Sequence, residues 1–182
     1  MHGMARYLLK WDFLVLTSMT GRPGGGQIVR VMRWITRSAD GHAYPAILVT
    51  LIILQPNRWR VLTAWLFAFA VDLAAYVLIK RSVRRPRPFQ ALAGLVNLVV
   101  PPDTFSFPSG HTAGAFLVAI LIAFCHPLWL VPLCSWAALV GISRIFLCVH
   151  YPTDVVAGAC LGILSARFGL LLADQLVSLG AL

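Results

Sequence analysis

The chain has 182 residues, 59% of them hydrophobic and only 12% charged, with a mean hydropathy of +0.82. Soluble domains carry about 25% charged residues, so this composition excludes an ordinary soluble globular protein and requires that much of the surface face lipid. The net charge of +9 comes from 15 Lys and Arg against six acidic residues, all Asp; beside long apolar runs it excludes a DNA-binding domain and points to anionic headgroups or a phosphorylated substrate.

The first 40 residues read as interfacial. Residues 7–19 and 27–37 mix apolar side chains with Lys10, Asp12, Arg30, Arg33 and Arg37. That is the pattern of two short amphipathic helices lying on a membrane surface; an extra span over 7–19 is the alternative. Between them, Gly21-Arg22-Pro23-Gly24-Gly25-Gly26 forms a flexible break. It is no phosphate loop, because no Gly-Lys-Ser/Thr follows. Lys10 and Asp12 interrupt the first apolar stretch and no A-x-A site follows, which argues against a cleavable signal peptide. Asp40-Gly41 predicts a turn.

A membrane helix needs about 17–25 mostly apolar residues. Four strong spans are predicted over residues 59–79, 107–125, 128–147 and 153–179, with a weaker, shorter one over 43–55. The fold class is therefore an all-α, polytopic transmembrane bundle of about five spans with N-terminal surface helices. Residues 1–182 form a single domain, with 1–40 interfacial and 43–179 the transmembrane core. The pairs Gly110/Gly114 and Gly158/Gly162 have the spacing that lets membrane helices pack closely. Cys125, Cys134, Cys148 and Cys160 lie in or beside apolar runs without metal-site spacing and read as small packing residues. Trp34, Trp59 and Trp129 near predicted ends suit an aromatic belt. His2 and His42 are expected at the interface, and His126 at the turn opposite the polar clusters.

Three polar clusters interrupt the apolar background: Lys80-Arg81-Ser82-Val83-Arg84-Arg85-Pro86-Arg87-Pro88, then Pro108-Ser109-Gly110-His111, then Ser143-Arg144 followed by His150-Tyr151-Pro152-Thr153-Asp154. The span over 59–79 delivers the first cluster to one membrane face. The following loop stays there, interrupted by Pro101, Pro102 and Asp103. The next span starts on that face at Ser109, crosses, and turns at His126-Pro127; the one after brings Arg144 and His150 back. Counting crossings thus places all three clusters on one face.

Such a constellation suits an anion. The guanidinium groups of Arg87 and Arg144 bind phosphate in bidentate geometry, and Lys80 adds a point charge. Ser109 can cap a helix whose free N–H groups favour an anion. At a spacing of four, Asp154 can accept a hydrogen bond from one nitrogen of His150 and leave the other as nucleophile. His111, from another helix, can protonate the leaving oxygen and then activate water to hydrolyse a phosphohistidine. Three fixed cations supply the charge a metal would bring, so no metal and no cofactor is expected. Asp72, mid-span and about 12 Å below Lys80 at ~1.5 Å per residue, is expected to pair with a polar group inside the bundle.

These residues resemble a known signature. Lys80 with six residues before Arg87-Pro88, then Pro108-Ser109-Gly110-His111, then Ser143-Arg144 with five residues to His150 and three more to Asp154, are similar to the three-part motif of the type 2 phosphatidic acid phosphatase family. The resemblance covers residues 43–166. It implies His150 as nucleophile, Asp154 as its partner and His111 as general acid. It further implies Lys80, Arg87, Ser109, Gly110 and Arg144 as phosphate binders. Arg81, Arg84 and Arg85 fall at variable positions of the motif and read as headgroup contacts or solvated charges. Membrane members often have six spans, and on this reading the first is expected to be replaced by surface helices.

The expected activity is a metal-independent lipid phosphate or diphosphate phosphatase acting through a phosphohistidine. Undecaprenyl diphosphate, phosphatidylglycerophosphate, phosphatidic acid and lipid A phosphates are the candidate substrates. The bilayer and a lipid phosphate are the expected partners, and nucleic acid is not. The alternatives are a vanadate-dependent haloperoxidase, whose soluble members are much longer, and a non-catalytic lipid transporter or scaffold. The family's habit puts the site on the periplasmic face of the inner membrane; the basic N-terminal region argues the other way under the positive-inside rule.

Overall fold

The computed structural model describes the backbone of residues 2–20 and 26–180, and side chains from residue 9 onward apart from residue 20. Most of the glycine-rich break and the side chain of His2 fall outside the described residues. The described residues are helical, with α1 His2–Thr20, α2 Gln27–Arg37, α3 Tyr44–Leu54, α4 Arg58–Val83, α5 Pro88–Ala91, α6 Gly110–Cys125, α7 Leu130–Phe146 and α8 Pro152–Ser178; a 3-10 turn, Pro127–Trp129, precedes α7. Three stretches, Arg58–Ala91, Pro127–Phe146 and Pro152–Ser178, are long and apolar enough to cross a membrane; α3 and α6 are shorter apolar helices.

Helix α8 is the hub, packed along α4 and α6, while α7 packs on α6 and α3 on α4. Small residues make this close approach achievable. A Cβ on Gly158 would collide with the carbonyl of Ser109, one on Gly162 with that of Ala113, and one on Gly169 with that of Ala64. Backbone contact of this kind is how apolar helices gain packing energy in lipid, where burial from water contributes little. Gly114 is different, because ordinary van der Waals space remains beside it.

Two contacts define the ends of the bundle. Asp40 Oδ1 meets His111 Nε2 at 3.0 Å, and Gln55 Nε2 meets His126 Nε2 at 3.2 Å. Both pairs are separated by 71 residues in sequence, so α3 and α6 run parallel and in register. Fifteen residues at ~1.5 Å each span about 22 Å. Residues 40–55 therefore cover the same distance as α6, although α3 holds only 11 residues against 16 and the turn at 40–43 makes up the rest. Arg60 and Asp174 pair at the Gln55 end, while Lys80, Arg144 and His150 sit at the Asp40 end. The crossings alternate as counted from the sequence.

The two N-terminal helices lie at that same end, against the bundle. α1 packs on α7 and α8, and α2 on α7. Each keeps apolar side chains exposed, including Leu9, Trp11, Phe13 and Leu14 on α1 and Ile28, Val31 and Trp34 on α2, as interfacial helices do. They also bury polar groups, Asp12 on α1 and Thr36 on α2. Surface amphipathicity alone did not foreshadow this.

Candidate active site

The chain breaks that surround the site follow from local sequence. α4 stops where Arg84 adopts a left-handed conformation (φ 48°) and prolines 86 and 88 follow, since proline cannot continue a helix. α7 stops at Leu147. Cys148 then turns left-handed (φ 60°), and the amides of Val149 and His150 both reach back to the Arg144 carbonyl. That tight turn delivers His150 beside the arginine six residues earlier. Pro152 sits in the first turn of α8, where its missing N–H costs nothing. One backbone bond ties two motifs together: Ser109 N donates to the Asp154 carbonyl at 3.0 Å. The start of α6 is thereby pinned to the start of α8.

The tautomer of His150 is set by its neighbours. Nδ1 lies 3.5 Å from Asp154 Oδ2, and Nε2 lies 3.4 Å from Arg87 Nη1. A carboxylate only accepts and a guanidinium only donates. The tautomer protonated on Nδ1 is the one that suits both neighbours and presents the Nε2 lone pair, although at 3.5 Å Nδ1 makes no closed hydrogen bond. Both residues of the pair are buried. Asp154 is further held by the Tyr151 amide on Oδ2 at 2.8 Å and by Arg85 on Oδ1 at 2.7 Å. The His150 pKa is pushed down to about 4. Burial is the largest cause, Asp154 opposes it, and the charges of Arg144 and Arg87 add to it. At neutral pH the imidazole is uncharged, as a nucleophile must be.

The three basic groups are close to one another, and each donates at least one side-chain hydrogen bond, although the buried Nε of Arg144 has no partner. Arg87 donates to the Val149 carbonyl at 2.7 Å and to Asp103 Oδ1 at 2.7 Å. Lys80 donates to Asp103 Oδ2 at 2.8 Å. Tyr76, one turn before Lys80, donates to the same oxygen at 2.6 Å. Partial burial would raise the Asp103 pKa, but the hydrogen bonds from Lys80, Tyr76 and Arg87 outweigh it and hold the carboxyl below its ordinary range. Arg144 reaches Thr36 Oγ1 of α2 at 2.8 Å. Its charge acts on both His111 and His150, so the two imidazoles share one electrostatic neighbourhood.

Ser109 departs from expectation. It occupies the N-cap position of α6, but its hydroxyl bonds the Thr112 hydroxyl at 2.9 Å rather than a backbone amide. Gly110 has its own reason to lack a side chain: a Cβ there would stand 2.9 Å from the Tyr76 ring. Arg85 corrects the reading of the first cluster. Arg81 and Arg84 are exposed, as solvated or headgroup-facing charges should be. Arg85 instead inserts between Asp12 and Asp154 and lies over the Tyr151 ring at 3.8 Å.

Asp12, Thr36, Asp40, Tyr76 and Asp103 were not singled out as site residues from sequence. Each supplies a hydrogen bond to a motif residue or to Arg85. The signal available beforehand was thin: only six acids exist in the chain, and three of these five are Asp. Asp72 lies deeper, facing Ser165 of α8. It lines an apolar groove of about 680 Å³ between α3, α4 and α6 that includes Leu48, Phe69 and Leu73 and ends at Tyr76, Asp40 and His111.

The chain is similar to several known proteins. Decaprenylphosphoryl-5-phosphoribose phosphatase of Mycobacterium tuberculosis is 37% identical over 156 residues, covering 81% of this chain and 80% of that protein. The bacitracin transport permease protein BcrC of Bacillus licheniformis is 46% identical over 86 residues, covering 45% of this chain and only 40% of that protein. The crystal structure of a transmembrane PAP2 type phosphatidylglycerolphosphate phosphatase from Bacillus subtilis superposes with a TM-score of 0.73 at 24% identity, covering 93% of this chain and 87% of the other; that likeness concerns the fold. The PAP2 superfamily model matches residues 43–177, a stretch that holds all three polar clusters, and the chain belongs to the PAP2 superfamily.

Proposed function

We propose that this chain is a phosphatase of lipid phosphates or diphosphates that works without a metal, through a phosphohistidine on His150. The hydrolase class follows from family membership. The mechanism and substrate are the proposal. The observation that carries it is the placement of His150, buried between an acceptor-only Asp154 and a donor-only Arg87, which leaves Nε2 as a neutral nucleophile beside a guanidinium.

Nε2 attacks phosphorus, the P–N bond forms, and the P–O bond to the lipid breaks. His111 donates a proton to the departing oxygen. It then takes a proton from water as the water oxygen attacks phosphorus, the P–N bond breaks and inorganic phosphate leaves. Lys80, Arg87 and Arg144 hold the equatorial oxygens, whose charge grows in the transition state. Ser109 and Gly110, at the start of α6, offer backbone amides to the same group. The groove at His111 suits one hydrocarbon chain entering from the bilayer. The mycobacterial relative is named for a decaprenyl-linked substrate, so polyprenyl phosphates and diphosphates head the candidates, ahead of phosphatidylglycerophosphate, phosphatidic acid and lipid A phosphates. Residues 1–182 act as one catalytic unit in the cell membrane, with the site on its outer face.

A transporter is the second reading, since the Bacillus licheniformis relative is named a transport permease. One experiment separates the two. Purified protein in detergent is given a panel of lipid phosphates in excess EDTA, and inorganic phosphate is measured. Release that His150→Ala abolishes is expected. No release from any member ends the phosphatase reading, and strict dependence on added metal ends the proposed mechanism.

A further inference from the structure

The N-terminal helix reaches the catalytic dyad through a single carboxylate. Asp12 of α1 is buried, and three donors converge on it. Its Oδ1 accepts the Thr153 amide at 2.9 Å; its Oδ2 accepts the Thr153 hydroxyl at 2.6 Å and Arg85 Nη2 at 2.6 Å. The Thr153 amide is one of the free N–H groups at the start of α8, so Asp12 caps that helix from 141 residues away. The Thr153 hydroxyl, having given its proton to Asp12, accepts from Arg85 Nη1 at 2.8 Å. The same Nη1 donates to Asp154 Oδ1 at 2.7 Å. A continuous chain of contacts thus runs from Asp12 through Arg85 and Asp154 to His150.

Attachment of α1 does not need this carboxylate. Leu16, one turn further on, already packs with Ile145 and Tyr151. Burying an acid merely to dock a helix is costly beside an apolar side chain of similar size. The charge has a use at Arg85. This guanidinium sits between two carboxylates, Asp12 and Asp154. With Asp12 present its charge is shared. Without Asp12 it would fall wholly on Asp154, competing with His150 Nδ1 for the carboxylate, and the first turn of α8 that carries Asp154 would lose its cap.

We propose that Asp12 is a positioning residue for the nucleophile: by holding Arg85 and the start of α8, it keeps Asp154 aimed at His150 Nδ1. The inference rests on the phosphatase reading of the site. Its test is a double-mutant cycle in detergent, on the lipid phosphate that the full-length protein hydrolyses best, with Asp12→Asn, Arg85→Gln and the double variant. Asp12→Asn is expected to lower kcat at least about tenfold with KM within about twofold, and to change kcat by less than about twofold in the Arg85→Gln background, since coupled neighbours are non-additive. Leu16→Ala, which removes packing on Ile145 and Tyr151 but leaves the Asp12 carboxylate in place, should lower the thermal midpoint and lower kcat by much less than Asp12→Asn. The proposal is overturned by an unchanged kcat in Asp12→Asn, by the same loss in both backgrounds, or by an equal loss in Leu16→Ala. Asp12→Ser, which can still cap, takes the place of Asp12→Asn should the latter not fold. ¹⁵N-histidine NMR of the same proteins, assigned with His150→Gln, reads the tautomer without substrate: His150 should be protonated at Nδ1 in the parent and mixed in Asp12→Asn, and an unchanged tautomer overturns the proposal. If the parent releases no phosphate, the phosphatase reading fails while the tautomer measurement still decides the role of Asp12.

Discussion

Asp40 Oδ1 lies 3.0 Å from Nε2 of His111, so the imidazole proposed as general acid has a carboxylate partner of its own. The acid comes from the turn after α2, where Gly41 (φ 86°) reverses the chain. The carboxylate holds one ring nitrogen, fixing the orientation of the imidazole, and leaves Nδ1 to face a substrate oxygen. Asp40→Asn should lower kcat most for lipids with poor leaving groups, by about tenfold, and least for an activated aryl phosphate. A uniform loss across leaving groups would show that Asp40 does not act through His111.

The pH dependence has a definite sign on the acid side. As the proposed nucleophile, His150 must be neutral to attack, and its pKa is pushed down to about 4 by burial and by the Arg144 and Arg87 charges, against the pull of Asp154. The acid limb of kcat/KM should therefore fall near pH 4, well below the ~6.5 of an ordinary histidine. Asp154→Asn removes the group that raises this pKa, so whatever activity survives should show its limb at still lower pH. A limb near 6.5 in the parent would mean that the imidazole is not buried among these cations during turnover.

Asp103 carries a stability prediction. Lys80 and Arg87 are buried like charges bridged by its two oxygens. Breaking a buried pair typically costs about 3–5 kcal/mol; Asp103 is itself 31% exposed, so solvent screens part of this and about 2 kcal/mol is expected for Asp103→Asn. Thermal unfolding in detergent should show a midpoint lower by roughly 4–8 °C. An unchanged midpoint would mean that the two cations find other partners without cost.

Membrane orientation is measurable at two exposed loop positions. Val100 lies in the loop at the site end and is 90% exposed, and Leu128 lies in the opposite turn and is 93% exposed. In a background with the four native cysteines replaced, Val100→Cys should react with a membrane-impermeant maleimide in intact cells, and Leu128→Cys only after permeabilisation. The reverse pattern would place the site on the cytoplasmic side, where the basic N-terminal region points.

What the sequence determined by itself was whatever repeats locally or follows from counting. Apolar runs marked the three long apolar helices and the two shorter ones, because lipid demands helices that satisfy their own backbone. Alternation of those helices placed Lys80, His111, Arg144 and His150 at one end, and a spacing of four put Asp154 within reach of His150. Gly158 and Gly162 announced close helix contact, and the structure sets them against the carbonyls of Ser109 and Ala113.

Only the tertiary structure decided which acids serve the site. Asp12, Asp40 and Asp103 look alike in the sequence, as isolated carboxylates. Their roles depend on partners 141, 71 and up to 27 residues away. A hydrogen bond is fixed by where helix ends meet in three dimensions, and no local periodicity encodes that meeting. The same reason hid Arg85, which sits among solvated arginines in the motif yet lies between two buried carboxylates. Hydropathy reports the depth of a residue; only packing reports which charge stands beside it.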